Sequence, residues 1–186
     1  MKKVISGLKK KFGKTITGTI EFRGEHTLLV KKEKTKELLK HCRDELGFDY
    51  LLDVSSVDYL GSEPRFEMVY ELCRLAAGEH LRIKCALEED EPMDTVSDLW
   101  ATANWHEREI YDMMGIKFDG HPDLTRILMW EGYPYFPLRK DFPLAGKPSE
   151  MPDVAFTETA PLAGGPFVTS PTTQSSVHRE PRSQEV

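Results

Sequence analysis

The stretch that decides the fold is residues 65–88, RFEMVYELCRLAAGEHLRIKCALE. Apolar and polar side chains alternate in it on both sides of Gly78, which supplies a turn. This period of two predicts two strands, residues 65–75 and 80–88, each with one apolar side. The apolar positions are Phe66, Met68, Tyr70 and Leu72 in the first strand and Leu81, Ile83, Cys85 and Leu87 in the second. We therefore expect a sheet with one buried face.

Three more strand patterns precede this pair. Residues 16–22 and 27–31 alternate with the same period on either side of Gly24 and predict a hairpin. Residues 50–57 predict a further strand, which is followed by a turn. The apolar positions of the first of these strands are Ile16, Ile20 and Phe22, with Gly18 on the same side. Across the five strands, the apolar residues are expected mainly on one side of the sheet.

Two amphipathic helices flank the last three strands. Residues 33–46 carry apolar side chains at helical spacing, and Gly47 follows as the stop. A second helical pattern covers residues 97–114, with Ser97 as the predicted N-cap and Gly115 as the stop. The predicted buried positions are Leu38, Leu39, Cys42 and Leu46 in the first helix and Trp100, Ala103, Ile110 and Met114 in the second.

These elements predict an α+β fold in two layers. A mixed, largely antiparallel sheet of about five strands forms one layer, and helices packed on one face form the other. We expect this domain to cover residues 1–144. Residues 145–186 contain six of the twelve prolines and predict an extended, largely disordered arm that orders on a partner as far as about Val168.

Composition excludes several classes of protein. A chain of 186 residues with 39% hydrophobic residues is typical of an ordinary globular protein, not of a collagen-like or disulfide-scaffold protein. With a mean hydropathy of -0.46, it contains no apolar window long enough to span a bilayer. The net charge of -6 argues against nucleic acid as a partner.

The first twenty residues are locally basic. They carry six lysines and no acid, with Ile5, Leu8 and Phe12 at helical spacing. This pattern favours a solvated basic helix that packs three apolar side chains on the body of the domain. A helix lying on anionic lipid is the alternative.

The three cysteines are Cys42, Cys73 and Cys85. No two of them form a C-x-x-C pair, so their spacing matches neither zinc nor iron–sulfur ligands. We expect buried, reduced thiols. The odd count and the lack of a signal-peptide pattern predict a reducing, cytosolic compartment.

Residues 120–143 combine prolines with aromatic side chains. Prolines recur too closely for regular elements, yet five aromatic residues add apolar mass that a free linker would not carry. We expect this part of the chain to be extended and to lie across a surface, either of its own domain or of a partner.

The densest polar cluster is HEREIYD, residues 106–112. Arg108 and Asp112 are four residues apart and predict an ion pair on one helix. The zincin motif is not completed, because position 110 is Ile where a second histidine is needed. Structural pairing of these charges is therefore favoured. A metal-dependent enzyme that uses Glu107, Glu109, Asp112, His121 and Asp123 remains an alternative.

Two further polar groups follow the helix. His121 is a candidate proton-active group with Asp123 as its orienter, although a turn capped by Asp123, burying Leu124, Ile127 and Leu128, is the simpler interpretation. Residues 139–141, Arg139, Lys140 and Asp141, predict an anion clamp, an exposed salt-bridging turn or an interface anchor. No G-x-S-x-G elbow, G-x-G-x-x-G loop or P-loop occurs in the chain.

Two stretches closely resemble the signature of the C subunit of the proton-pumping NADH–quinone oxidoreductase, respiratory complex I. They are NWHEREIYDMMGI at 104–116 and GHPDLTRIL at 120–128, and WEG at 130–132 and PLRKDFP at 137–143 fit the same family. We call residues 104–143 the signature. Its candidate interface residues are Trp105, Glu107, Arg108, Glu109, Asp112, Gly115, His121, Pro122, Asp123, Arg126, Arg139, Lys140 and Asp141.

The resemblance implies a scaffold protein without a redox centre. Such a chain holds no cofactor, while FMN and iron–sulfur clusters belong to its partner subunits. It docks in the hydrophilic arm of complex I on the D subunit, near the quinone site, with the B and I subunits nearby. The C-terminal arm wraps the D subunit. The whole complex passes electrons from NADH to quinone and moves protons. The implied location is the cytoplasmic side of the bacterial inner membrane, as a peripheral protein.

One rival keeps the scaffold role but changes the complex. Similar subunits occur in membrane-bound hydrogenases, formate hydrogenlyases and photosynthetic relatives of complex I. Nickel in the purified assembly would favour a hydrogenase, whereas flavin with NADH oxidation would favour complex I.

Overall fold

The computed structural model describes residues 1–144. The chain divides into two units, Met1–Phe142 and Pro143–Val186, and the elements below all belong to the first. The helices are α1 (Lys2–Phe12), α2 (Thr35–Asp44) and α3 (Ala103–Met114). The strands are β1 (Ile16–Phe22), β2 (Glu25–Val30), β3 (Tyr50–Asp58), β4 (Phe66–Arg74), β5 (Glu79–Leu87), β6 (Met93–Asp94) and β7 (Phe118–Asp119). The predicted arm, residues 145–186, lies outside the described residues.

Five strands form a mixed sheet in the order β1-β2-β5-β4-β3. Within this sheet the β2–β5 pair is parallel, with Leu28 opposite Ile83, and the other three pairs are antiparallel. The predicted fold class, α+β with a largely antiparallel sheet of about five strands, is confirmed. The predicted strand bounds agree with the observed ones to within two residues.

The core lies between one face of this sheet and the three helices. Buried side chains alternate along β4 and β5, as their sequence pattern predicts, because burying one face removes apolar surface from water. From the helices, α1 contributes Ile5, Leu8 and Phe12, α2 contributes Leu38, Leu39 and Cys42, and α3 contributes Ala103, Ile110 and Met114. Since Ile5, Leu8 and Phe12 are buried while the lysines of α1 are exposed, the packing interpretation of the basic helix is confirmed.

Strand β1 departs from the predicted pattern. Its register places Thr19 opposite the buried Leu28, so the next residue, Ile20, lies on the open face of the sheet. Ile20 and Phe22 are 49% and 65% exposed. The expectation that the apolar residues of all five strands share the covered face is therefore wrong for this edge strand.

Helix α3 begins at Ala103, six residues after the predicted start. Residues 97–102 form turns instead, in which the N–H groups of Leu99 and Trp100 both donate to Val96 O. The N–H of Ser97 donates to Thr95 Oγ1, so Ser97 is tied back to the preceding residues and does not cap the helix. Sequence patterns also missed β6 and β7, because a two-residue parallel pair carries no periodicity.

The three cysteines are buried and free, as expected from their spacing. Burial raises the pKa of Cys42 to about 12 and that of Cys85 to about 11, which keeps both thiols protonated and unreactive. Among the described residues, no helix has both the length and the apolar character that crossing a bilayer requires.

Candidate functional site

The signature folds into α3 and an irregular segment, which we define as residues 120–142. The two sides of α3 differ in what they carry. Glu107 and Asp112 are fully buried, and Glu107 lies on the same side of the helix as the core residues Ala103 and Ile110. Trp105 points away from the core and is 63% exposed. The helix therefore turns two carboxylates inward and an aromatic ring outward.

Glu107 connects α3 to the chain around β6. Its Oε2 accepts a hydrogen bond of 2.5 Å from Thr95 Oγ1, and its Oε1 accepts one of 2.7 Å from the N–H of Val96. Burial raises the pKa of Glu107 to about 6, and these two donors lower it only in part. The carboxylate satisfies local polar groups that would otherwise be buried without partners.

His121 lies next to Glu107, with its Nε2 3.8 Å from Glu107 Oε2. The N–H of Asp123 donates to His121 Nδ1 at 3.1 Å, which leaves Nε2 to donate to Asn104 O at 3.2 Å. Asp123 therefore orients the imidazole through its backbone amide. These bonds hold His121 against the N-terminal half of α3.

Asp112 organises the middle of the irregular segment. Its Oδ2 accepts three backbone hydrogen bonds, from Ile127, Leu128 and Met129, at 2.7 to 3.0 Å. Its Oδ1 accepts from Arg126 Nη1 at 2.6 Å. Burial alone would raise the pKa of Asp112, but the backbone and Arg126 donors outweigh it, and the pKa lies below its ordinary value. Four donors on one buried carboxylate fix the path of the chain here.

The predicted helical turn over Leu124, Ile127 and Leu128 is wrong. These residues are irregular, and Leu128 is 61% exposed. The reason lies in Asp112, whose Oδ2 takes the N–H groups of Ile127 and Leu128 that a helical turn would direct to backbone carbonyls.

The predicted pair of Arg108 with Asp112 is also wrong. Arg108 donates to Thr125 O at 3.1 Å and to Thr125 Oγ1 at 2.9 Å, and its guanidinium lies 5.1 Å from the ring of Trp105. Asp112 is buried and already paired with Arg126, so Arg108 stays at the surface. The ion pair of Asp112 is instead with Arg126, and it joins α3 to the irregular segment.

Arginine and aromatic side chains alternate in a chain of contacts beside this ion pair. The guanidinium of Arg126 lies 5.8 Å from the ring of Tyr133 and 5.2 Å from that of Phe136. Arg139 lies 4.6 Å from Phe136 and 5.4 Å from Phe66 on β4. These cation–π contacts join the irregular segment to the sheet. The proline-rich and aromatic part of the chain thus lies on its own domain.

Gly115 permits this packing. It has a φ of 80°, in the left-handed region, where it ends α3. A Cβ at this position would lie 2.7 Å from Arg139 Nη2 and from two ring carbons of Phe136. Arg139 also donates from Nε to Met114 O at 2.6 Å. Only glycine fits both the conformation and the close approach.

The end of the irregular segment is anchored on a buried ion pair of the sheet. Arg65 donates two parallel bonds of 2.9 Å to Asp58, and it also donates to Asp141 at 3.1 Å. The N–H of Lys140 donates to Asp58 Oδ2 at 2.8 Å. The pKa of Asp58 is lowered chiefly by the bond from Arg65. Of the three predicted roles for residues 139–141, the salt-bridging turn is the one realised within the described chain.

Asp58, Arg65 and Thr95 were missed as site residues. Asp58 and Arg65 flank the turn between two predicted strands, and pairing of those strands would have brought them close. No sequence pattern pointed to Thr95, because its hydrogen bond to Glu107 depends on how the chain after β6 packs against α3. Pro122 is exposed, and no contact of its side chain explains its place in the signature.

The five residues of the metal-enzyme alternative are not brought together. Glu107 and His121 are neighbours, but Asp112 binds backbone amides elsewhere along α3, and Glu109 is exposed. Within residues 1–144, no group of three or more His, Cys, Asp or Glu side chains could hold a metal ion.

Comparison with known proteins identifies the family. The family model described as "Respiratory-chain NADH dehydrogenase, 30 Kd subunit" matches residues 28–148, which span the sheet from β2 onward and the whole signature. The chain belongs to this family. Its resemblance to the C subunit, inferred from residues 104–143, is confirmed by this match together with relatives that carry the name of that subunit.

Relatives within the family cover most of the chain. The C subunit of NADH-quinone oxidoreductase from Geotalea uraniireducens is 48% identical over 77% of this chain and 88% of its own length. The subunit named C 2 in Rhizobium meliloti is 46% identical over 73% of this chain and 75% of its own length. Family membership makes the chain a subunit of the NADH-quinone oxidoreductase of respiratory electron transport, and so a part of an enzyme complex.

A solved structure has the same fold. A chain of the membrane-bound sulfane sulfur reductase, an archaeal respiratory membrane complex, gives a TM-score of 0.66. The match covers 77% of this chain and 85% of that chain at 23% sequence identity. At this identity the likeness concerns the fold alone.

Proposed function

We propose that this chain is a non-redox scaffold in the peripheral arm of NADH–quinone oxidoreductase. It docks on the D subunit near the quinone site, with the B and I subunits nearby, on the cytoplasmic side of the bacterial inner membrane. The complex carries electrons from NADH through FMN and iron–sulfur clusters to quinone and translocates protons. This chain contributes a rigid surface and holds no cofactor.

One observation carries the proposal. The buried carboxylates of the signature, Glu107 and Asp112, are used to hold the chain itself in shape. Their donors are fixed polar groups of the same domain, so no open coordination position or substrate-facing charge results. Around them, Trp105 and Leu128 remain exposed on a fixed backbone. An ordered surface with exposed apolar side chains fits docking better than catalysis.

Affinity purification of the tagged full-length chain in mild detergent tests this proposal. We expect the B, D and I subunits to be recovered with it, together with flavin and iron. Deleting the gene should abolish NADH–quinone activity, and the plasmid-borne chain should restore it. Recovery of the chain alone, in cells that keep full activity after deletion, would contradict the proposal.

The arm has a separate test. A chain truncated after Leu144 keeps all the elements that form the core, so we expect cooperative unfolding like that of the full chain. Yield of the complex should fall, because residues 145–186 wrap the D subunit in this proposal. Unchanged yield would show that the arm does not hold the partner.

A second candidate is the equivalent scaffold of a hydrogenase-type complex. The fold alone does not separate the two candidates, since a chain of another respiratory complex, the sulfane sulfur reductase, has the same fold. Nickel in the purified assembly, with no NADH oxidation, would select this candidate. Flavin with NADH oxidation would select the first.

A further inference from the structure

A groove of about 240 Å³ lies between β3 and α3. Its buried residues are apolar, namely Val54, Ile110, Met113 and Met114, and the partly buried Ser55 and Ser56 of β3 also line it. Two acidic residues, Asp53 and Glu109, line its exposed part. We call this feature the α3/β3 groove. It lies at the free edge of the sheet, because β3 is the last strand.

Leu138 forms one wall of the groove and is 55% exposed. This exposure is not the result of a loose chain. The N–H of Leu138 donates to Met113 O at 3.1 Å, and Arg139 and Lys140 directly after it are bonded to Met114 O and to Asp58. The backbone therefore holds a leucine side chain in solvent, at a cost that only an apolar neighbour would remove.

The charge beside the groove is uncompensated. Glu109 is exposed and makes no hydrogen bond or ion pair with any described residue. Asp53 is 3.3 Å from His106, which is its ion-pair partner only when protonated. The nearest arginine in sequence, Arg108, is bonded to Thr125 instead. The groove thus combines an apolar floor with negative charge at its mouth.

We propose that the α3/β3 groove is the docking site for a segment of a partner protein that carries an apolar side chain flanked by lysine or arginine. The apolar side chain fills the groove against Leu138, and the basic group pairs with Glu109. Trp105, one turn earlier on the same side of α3 and 63% exposed, extends the contact. This inference rests on the proposed function and adds the location and chemistry of one contact.

Charge complementarity decides between partners. An acidic segment would meet the free carboxylate of Glu109 as a like charge, which costs affinity. A purely apolar segment would bury Glu109 without a partner, which is also unfavourable. The exposed apolar residues of β1, Ile20 and Phe22, lie on the open face of the sheet at its opposite edge and lack such a pairing of an apolar groove with a free charge.

The test uses matched pairs of variants in the full-length chain, expressed in cells and purified as the complex. Leu138→Asp and Glu109→Lys change the groove, whereas Leu75→Asp and Glu45→Lys make the same changes at exposed positions elsewhere in the domain, just after β4 and α2. We expect the groove variants to lower the yield of assembled complex about tenfold, equivalent to ~1.4 kcal/mol. The controls should stay within about twofold of the parent chain.

A salt series completes the test. Assembly of the parent chain should weaken as ionic strength rises, and Glu109→Gln should remove much of that dependence. Groove variants that match their controls would overturn the proposal while the parent chain still purifies with its complex. If Leu138→Asp lowered the yield of complex but Glu109→Lys did not, the proposal that the partner segment is basic would be overturned. If the parent chain itself copurifies with no other subunit, the proposed scaffold function is contradicted, and the groove proposal that rests on it is contradicted as well.

Discussion

Two regions of this domain are held together in different ways. Strands β4 and β5 with α1 and α2 form a regular core, in which buried apolar side chains recur at the period of the strand or helix. The irregular segment has no such period. It follows single polar anchors, Asp112, Arg139 and the Asp58–Arg65 pair. A few charged side chains whose hydrogen bonds are satisfied within the domain can thus fix a surface where there is no helix or strand.

The largest effect should come from Asp112→Ala. This change removes the acceptor of three N–H groups and leaves the half-buried Arg126 without its partner, which costs about 3–5 kcal/mol. Hydrogen exchange should show loss of protection at residues 127–129 while the sheet amides stay protected. The matched change in the regular core, Leu39→Ala, costs about 2–5 kcal/mol and should lower protection throughout. If both variants lost protection of the sheet amides equally, the irregular segment and the regular core would not be held together in different ways.

Gly115→Ala should destabilise the domain by about 2 kcal/mol. The added Cβ meets both Arg139 and Phe136, and the left-handed backbone adds strain. Gly7→Ala is the control, because Gly7 lies in α1 with nothing within 4 Å of an added Cβ. That change should stabilise by about 0.5–1 kcal/mol. Urea midpoints that move in the same direction would contradict the packing described here.

Glu107 makes stability depend on pH. Its pKa is raised from 4.5 to about 6 in the folded chain, so its favourable contribution is complete below pH 4.5 and is lost as pH rises through 6. Glu107→Gln stays neutral at every pH. The free energy of unfolding of the parent chain, relative to this variant, should fall by about 2 kcal/mol between about pH 4.5 and about pH 7.5. A difference that stays constant with pH would show that the carboxylate is not held in a low-dielectric site.

Arg108→Ala should have the smallest effect, about 1 kcal/mol, because it removes hydrogen bonds to Thr125 and Arg126 O and a contact with the exposed ring of Trp105, and leaves no buried charge behind. Arg126→Ala should cost about 3 kcal/mol, since it leaves the buried carboxylate of Asp112 with its three backbone donors but without a countercharge. Denaturation of the two variants side by side separates the observed pairing from the one that sequence spacing predicts. Equal losses would mean that Arg108 supports Asp112 after all.

The regular core could be predicted from the sequence because its signal is periodic. Strand and helix patterns located β3, β4, β5 and α2 to within about two residues of their observed bounds, and the apolar positions of β4 and β5 are buried. The bounds of β1 were predicted correctly, but its buried face was not. A period of two shows that a strand has two faces without showing which of them the helices cover. The start of α3 was predicted six residues too early. The N–H of Ser97, the predicted N-cap, donates to Thr95 Oγ1, and this contact with a preceding residue could not be read from the helical pattern.

The site was less predictable. The charged residues of the signature were identified, but spacing along one helix suggested that Arg108 pairs with Asp112. The real partner, Arg126, lies fourteen residues after Asp112 in an irregular segment. Such a contact depends on where the chain turns back, and no local pattern encodes that. The resemblance to the C subunit found the right residues without showing how they are connected.

The most direct test of the scaffold role is a cofactor and activity measurement on the isolated full-length chain, beside the purified complex. Flavin, iron and other metals are quantified in both, and NADH–quinone electron transfer is assayed in both. The scaffold account predicts turnover and stoichiometric cofactors in the complex and neither in the isolated chain. A tightly bound metal or flavin in stoichiometric amount, or turnover by the isolated chain, would contradict it.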